Sequence, residues 1–109
     1  MTTVKVLKIN NKIVSIECVG HTGYAEHGED IVCSALSSIV QTAALGLLQV
    51  AKINVTLKID EDKGYFFMTL PENISKERRH DADMILETLL LGVADLNQGF
   101  SDFIELEVN

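Results

Sequence analysis

The sequence predicts a two-layer α+β domain in which two helices pack on a mainly antiparallel sheet. Five short segments are predicted as strands, and two of them, residues 53–60 and 104–108, alternate apolar and polar residues, which is typical of strands with one solvent-facing side. Two longer segments repeat their apolar residues at helical spacing. The segments follow one another in the order β-β-α-β-β-α-β, and we expect a single domain, residues 1–109, with one modest core.

The first two predicted strands, residues 3–9 and 13–19, form a hairpin. Residues 10–12 (Asn-Asn-Lys) make its turn, because asparagine tolerates a left-handed backbone. Residues 20–29 follow as a loop that contains Gly20, Gly23 and Gly28, and these three glycines disfavour regular structure.

A long apolar helix is predicted next, over residues 31–52, with Asp30 as its N-cap. Its apolar residues cover more than one face, so we expect the other helix or a second subunit to cover it. Serine, threonine and glutamine interrupt its most apolar part, so we expect no membrane span. Residues 1–10 lack a sustained apolar stretch, which favours a cytoplasmic protein over a secreted one.

The second half of the chain repeats the strand, strand, helix order. Residues 53–60 alternate as a strand, residues 61–64 form a turn, and residues 65–70 form the hairpin partner, which ends at Pro71. Ser75 caps a second helix that extends to about Gln98. Residues 104–108 alternate again and form the last strand.

The loop and the start of the first helix hold the residues that indicate chemistry. With Asp30 as N-cap, Cys33 is the third residue of the helix, where unpaired backbone amides stabilise a thiolate. His21 lies at the end of the second strand and is a candidate general base for the Cys33 thiol, then general acid for a leaving amine. The same first-turn amides are candidates for stabilising an oxyanion.

The neighbouring residues leave several roles open. His27 is a competing base, but it lies in the middle of the loop, whereas a general base needs a rigid support. Asp30 either caps the helix or also orients His21. Ser37 lies one turn beyond Cys33 on the same helix face, whereas Ser34 is expected to point elsewhere.

Other classes of function receive less support from the sequence. The net charge of −7 disfavours nucleic-acid binding and favours a basic partner. No C-x-x-C or H-E-x-x-H motif is present, so we expect neither a metal nor another cofactor, and no redox dithiol. Cys18 lies in a strand pattern and is expected to be a buried small hydrophobe, and His80 a solvated helix residue.

Residues 20–37 resemble the ribosomal-processing cysteine proteases (Prp) of Firmicutes and related bacteria. The likeness rests on Gly20 and His21, the glycine-bearing loop, the Asp-Ile-Val-Cys run at 30–33, and Ser37 one turn later. The order of strands and helices agrees over essentially the whole chain. Thr22 stands where many members have alanine, as does Ser34.

The resemblance implies a cytoplasmic homodimer with an α+β fold. It implies a cysteine endopeptidase that removes the N-terminal extension of ribosomal large-subunit protein twenty-seven. From charge and composition we expect no direct binding of nucleic acid and no membrane partner. It places a catalytic dyad on His21 and Cys33 and supporting roles on Gly20, Asp30 and Ser37. Residues 22–29 would form a flexible cover over the substrate groove. The alternative that stays open is a ribosome-associated binding module without catalysis.

Overall fold

The computed structural model describes residues 1–26 and 29–109. Its elements are β1 (Thr2–Ile9), β2 (Lys12–Val19), α1 (Ile31–Leu45), a π-helical segment that continues α1 (Gly46–Val50), β3 (Thr56–Asp60), β4 (Tyr65–Thr69), α2 (Lys76–Gly99) and β5 (Ile104–Val108). The predicted element order and the α+β class, with two helices on one sheet, are confirmed.

The five strands form one mixed sheet in the order β3-β4-β2-β1-β5. The β1–β2, β2–β4 and β3–β4 pairs are antiparallel, and only the β1–β5 pair is parallel, so the sheet is mainly antiparallel as predicted. β3 and β5 are the edge strands. The sequence did not predict this order, because it depends on pairings between distant parts of the chain.

The first hairpin turns at two asparagines, as the sequence predicts. Asn10 and Asn11 have φ angles of 54° and 64°, the left-handed pair that a two-residue hairpin turn requires. The pairing then shifts, because Leu7 faces Ser15 while Lys8 faces Ile13. This bulge at Val14 lets Ile13 and Ile16 both reach the core although they are three residues apart.

The core lies between the sheet and the two helices. The inner side chains of β1, β2, β4 and β5 meet the buried sides of α1 and α2 in one continuous cluster. The most deeply buried members from the sheet are Val4, Val6, Ile16, Met68 and Ile104, and those from the helices are Val32, Leu47, Leu86 and Val93. This layer fixes α1, and therefore its first turn, against the sheet.

The helical stretch from residue 31 to residue 50 is apolar and long enough to span a membrane by length and composition alone, with a mean hydropathy of 1.9. We expected its serine, threonine and glutamine residues to exclude it from the segments that could span a membrane by composition, and this expectation is wrong. Leu36, Val40 and Leu47 on its inner side are packed in the protein core. One side of this helix is therefore part of the core of the domain, while Ile31, Leu45 and Val50 on it are exposed.

The end of α1 differs from the predicted one. The helix continues to Val50 only as a π-helical segment, and Lys52, with a φ of 57°, terminates it. β3 begins at Thr56 and not at residue 53, because the Ile53 amide donates to the Leu47 carbonyl at 2.8 Å and holds the connection against the helix end.

Candidate active site

Gly20 fixes the point where the chain leaves β2. Its φ of +96° is unfavourable for other residues, and a Cβ there would lie 2.7 Å from the Met1 carbonyl oxygen. The Gly20 amide donates to the Gly64 carbonyl at 2.8 Å, and its own carbonyl accepts from the Thr2 hydroxyl at 2.8 Å. The strand end that carries His21 is therefore held from two sides.

His21 follows immediately and is half-buried. Its Nε2 lies 3.0 Å from the carbonyl oxygen of Asp62, in the turn between β3 and β4. A carbonyl oxygen only accepts hydrogen bonds, so Nε2 is the donor in this contact. The turn thus contacts the histidine directly.

Asp30 caps α1 and organises the loop at the same time. One carboxylate oxygen accepts from the Cys33 amide at 2.9 Å, so Asp30 is the N-cap of α1, as predicted. The other oxygen accepts from the Thr22 hydroxyl, from the Tyr24 amide at 3.0 Å and from the Ala25 amide at 3.4 Å. Both oxygens therefore bind the loop or the helix start.

These hydrogen bonds determine the ionisation of Asp30. Burial acts to raise the pKa of this carboxyl, and the hydrogen bonds from Thr22, Cys33, Ala25 and Tyr24 outweigh it, so the pKa lies below its ordinary value. Asp30 is a carboxylate at neutral pH, and its negative charge lies at the positive end of α1.

Tyr24 anchors the loop on its outer side. Its ring packs edge-on against Phe100 and Phe103, with centroid distances of 5.7 and 5.3 Å. Its amide binds Asp30. The residue therefore links the segment between α2 and β5 to the start of α1.

Cys33 and His21 line one groove of about 360 Å³ between α1 and the sheet. Cys33 is half-buried in the first turn of α1, as predicted. Ser37 and Gln41 continue along the same groove wall, one and two turns further on. Ser34 also lines the groove, so the expectation that it points elsewhere is wrong, because the groove extends around the helix start to the adjacent residue.

The floor of the groove is mostly apolar. It includes Leu36 and Val40 from α1 and Ile59 and Phe66 from β3 and β4. Cys18 also contributes to this floor and is 5 % exposed, and burial, followed by the charge of Glu17, raises the pKa of its thiol to about 12. Cys18 is therefore a neutral, buried thiol, in agreement with the sequence interpretation.

The turn at residues 61–64 is the part of the site that sequence reasoning missed. The turn contacts Gly20 and His21 mainly through backbone atoms, and every residue type carries these atoms, so the sequence does not indicate the contacts. The one available signal is Gly64, because its positive φ favours glycine. The resemblance implies only a flexible cover for Thr22 and Tyr24, whereas both bind Asp30.

Besides His21, the chain has two other histidines, His27 and His80. His27, the competing base, lies outside the described residues. His80 is exposed on α2 beside Asp81, in agreement with a solvated helix residue. Within residues 1–26 and 29–109, no group of three or more His, Cys, Asp or Glu side chains is arranged to hold a metal ion.

Comparison with known proteins adds an independent observation. The model of the family described as cysteine protease Prp matches residues 1–105. A Bacillus subtilis protein named ribosomal processing cysteine protease Prp is 31 % identical over 97 residues, which cover 89 % of this chain and 87 % of that protein.

Solved structures show the same fold. The crystal structure of the ribosomal processing protease Prp from S. aureus with a covalently linked product peptide has a TM-score of 0.88 at 22 % identity, over the whole of both chains. A second structure of the S. aureus protease, with a substrate peptide, has a TM-score of 0.83 at 20 % identity, again over both whole chains. Together with the groove that Cys33 and His21 line, the family match over residues 1–105 shows that this chain belongs to the cysteine protease Prp family.

Proposed function

We propose that this protein is a cysteine endopeptidase that removes the N-terminal extension of ribosomal large-subunit protein twenty-seven during ribosome assembly. The observation that carries the proposal is the shared groove, in which a helix-start cysteine and a histidine on an adjacent strand end line the same cavity. The name of the B. subtilis relative supports ribosomal processing, and the peptides bound in the S. aureus structures support a peptide substrate.

The proposed reaction uses Cys33 as nucleophile and His21 as acid and base. His21 takes the thiol proton as Sγ attacks the scissile carbonyl carbon, and it then donates that proton to the leaving amine nitrogen as the peptide bond breaks. A thioester remains on Cys33. Water attacks the thioester carbonyl, its proton passes through His21 to the departing sulfur, and the new carboxyl end is released.

The oxyanion would be stabilised by the start of α1. The Cys33 amide already donates to Asp30, and the Ser34 amide donates to the Asp30 carbonyl. We assign the oxyanion to the two preceding amides, those of Ile31 and Val32, which belong to the first turn of the helix. Asp30 then acts as a support that fixes this turn, and Ser37 as a groove residue beside the dyad.

The proposed setting is a cytoplasmic homodimer that acts on a basic ribosomal protein without direct binding of nucleic acid or membrane. The net charge of −7 favours a basic partner. Large apolar side chains stay exposed on both helices within the described residues, namely Ile31, Leu45, Val50, Met84 and Leu91. Such a surface is suited to burial in an interface between two copies of the chain.

A cleavage assay with paired variants tests the proposal. A peptide that spans the ribosomal extension is incubated with wild-type protein, with Cys33→Ala and with Cys18→Ala, which removes the other thiol. Histidine variants form a second pair, His21→Gln and the exposed control His80→Gln. We expect Cys33→Ala and His21→Gln to lose activity by about 10³-fold or more, while His80→Gln retains it. Cys18→Ala alters the groove floor but not the nucleophile, so we expect it to keep most of its kcat. Cleavage by Cys33→Ala at the wild-type rate would refute the mechanism, and binding of an unchanged peptide by the wild-type protein would support a binding module instead.

A further inference from the structure

We propose that the turn between β3 and β4 is the element that orients His21 for proton transfer, through the Asp62 carbonyl and the close approach of Gly64. In this role both are positioning groups, which act on the reaction through the histidine. The inference rests on the proposed function of His21, but its spectroscopic test below is independent of peptide cleavage.

The sheet register brings the turn to the histidine. β2 pairs with β4 so that Val19 lies opposite Tyr65, and Gly20 and Gly64, the next residues outward, face each other. The Gly20 amide donates to the Gly64 carbonyl at 2.8 Å, which extends the ladder by one bond. His21 therefore leaves the sheet directly beside the turn.

Two residues of the turn, Asp62 and Gly64, lie against the imidazole. The Asp62 carbonyl oxygen lies 3.0 Å from Nε2. Gly64 approaches the adjacent ring atom. It has a φ of +62°, and a Cβ at this position would lie 2.7 Å from the Gly20 carbonyl oxygen and 3.1 Å from Cε1 of His21. A side chain at residue 64 would therefore push against the Gly20 backbone and shift the ring from this position.

The contact with Asp62 selects one form of the neutral histidine. Since the carbonyl oxygen accepts, the hydrogen of the neutral ring lies on Nε2, and Nδ1 is the basic nitrogen. The proton from Sγ of Cys33 is then taken up at Nδ1 and returned from there to the leaving amine. During that interval the ring is a cation, and the carbonyl dipole at Nε2 stabilises it.

The arrangement assigns to a backbone carbonyl the part that a carboxylate plays in many catalytic triads. Both oxygens of Asp30, the carboxylate nearest in sequence to the nucleophile, accept bonds from the loop and from the start of α1. The turn thus holds the base while Asp30 holds the helix start that carries the nucleophile.

Kinetics of Gly64→Ala test the positioning role. The added methyl group must displace Gly20 or His21, so we expect kcat to fall by about 10- to 100-fold. We expect KM to change much less, because the groove wall formed by α1 is not touched by the substitution. Gly99→Ala is the matched control, since a Cβ there meets nothing within 4 Å. A folded Gly64→Ala protein with wild-type kcat would overturn the inference.

The nitrogen-15 NMR spectrum of the His21 imidazole tests the same inference without substrate. We expect the wild-type ring, at a pH where it is neutral, to carry its hydrogen on Nε2, and Gly64→Ala to populate both tautomers. A wild-type ring with its hydrogen on Nδ1 would overturn the assignment even if the protein cleaves its peptide. Conversely, the wild-type protein could show the hydrogen on Nε2 and yet cleave no peptide. That result would support the contact between the turn and His21 and would refute the proposed function. If Gly64→Ala does not fold, the wild-type spectrum alone decides.

Discussion

Replacing Asp30 with alanine removes the acceptor that joins the loop to the start of α1. The Cys33 amide loses its cap, and loss of such a cap costs about 1 kcal/mol. Thr22 is 1 % exposed, so leaving its hydroxyl without an acceptor costs about 1–3 kcal/mol. Tyr24 and Ala25 are exposed, and water can replace the carboxylate at their amides.

The expected loss is therefore about 2–4 kcal/mol of unfolding free energy, which for a chain of this length lowers Tm by roughly 8–16 °C. Chemical denaturation and thermal unfolding both measure it. Asp30→Asn keeps an acceptor for the Cys33 amide and should recover about 1 kcal/mol, because asparagine is as good an N-cap as aspartate. Asp102→Ala, at an exposed carboxylate, is the control and should change stability by less than about 0.5 kcal/mol.

The dependence on pH gives a second test of the same contact. The pKa of Asp30 is lowered in the folded protein, so its ionised form contributes stability above its unfolded pKa of about 3.9. That contribution is lost as the pH falls through the pKa of Asp30 in the folded protein. The difference in unfolding free energy between wild type and Asp30→Ala should therefore become smaller below about pH 4. An Asp30→Ala protein as stable as wild type at pH 7, or a difference that grows towards low pH, would refute the reasoning.

Three further predictions concern the same region. Tyr24→Ala should raise KM and accelerate proteolysis of the loop, whereas Tyr24→Phe, which keeps the ring contacts, should behave as wild type. If both variants have the same effect, the ring contacts are not what holds the loop. Gly20→Ala should unfold at a Tm lower by several degrees, because the methyl group meets the Met1 carbonyl at 2.7 Å, and an unchanged Tm would show that this approach relaxes freely. Iodoacetamide at pH 8 should modify Cys33 but not Cys18 in the folded protein, since burial raises the pKa of Cys18 to about 12, and peptide mass mapping would detect the opposite result.

Features that depend on neighbouring residues were predictable from the sequence. The turn at Asn10 and Asn11 follows from the left-handed tolerance of asparagine, and Asp30 and Ser75 cap their helices as predicted. α2 ends at Gly99, one residue beyond the predicted end, because glycine there interrupts the helical pattern. In each case the free energy that decides the structure comes from a few adjacent residues.

Features that depend on distant pairings were not predictable in this way. Nothing near β1 or β5 indicates that they pair in parallel, since that contact joins opposite ends of the sequence. The contact between His21 and the Asp62 carbonyl crosses 41 positions and uses a group that every residue carries. The position of Ser34 in the groove depends on how α1 is rotated against the sheet, which periodicity alone does not define.

The pairing of β5 with β1 has a consequence for when the site is complete. During synthesis, β1, β2 and the residues of the loop leave the ribosome long before residues 100–108. Yet Phe103 accepts from the Thr2 amide, and Tyr24 packs against Phe100 and Phe103. A nascent chain that has not yet exposed residues 100–108 has an unpaired β1 edge and a loop without its aromatic support. The order of synthesis therefore delays the support of this loop until residues 100–108 have emerged.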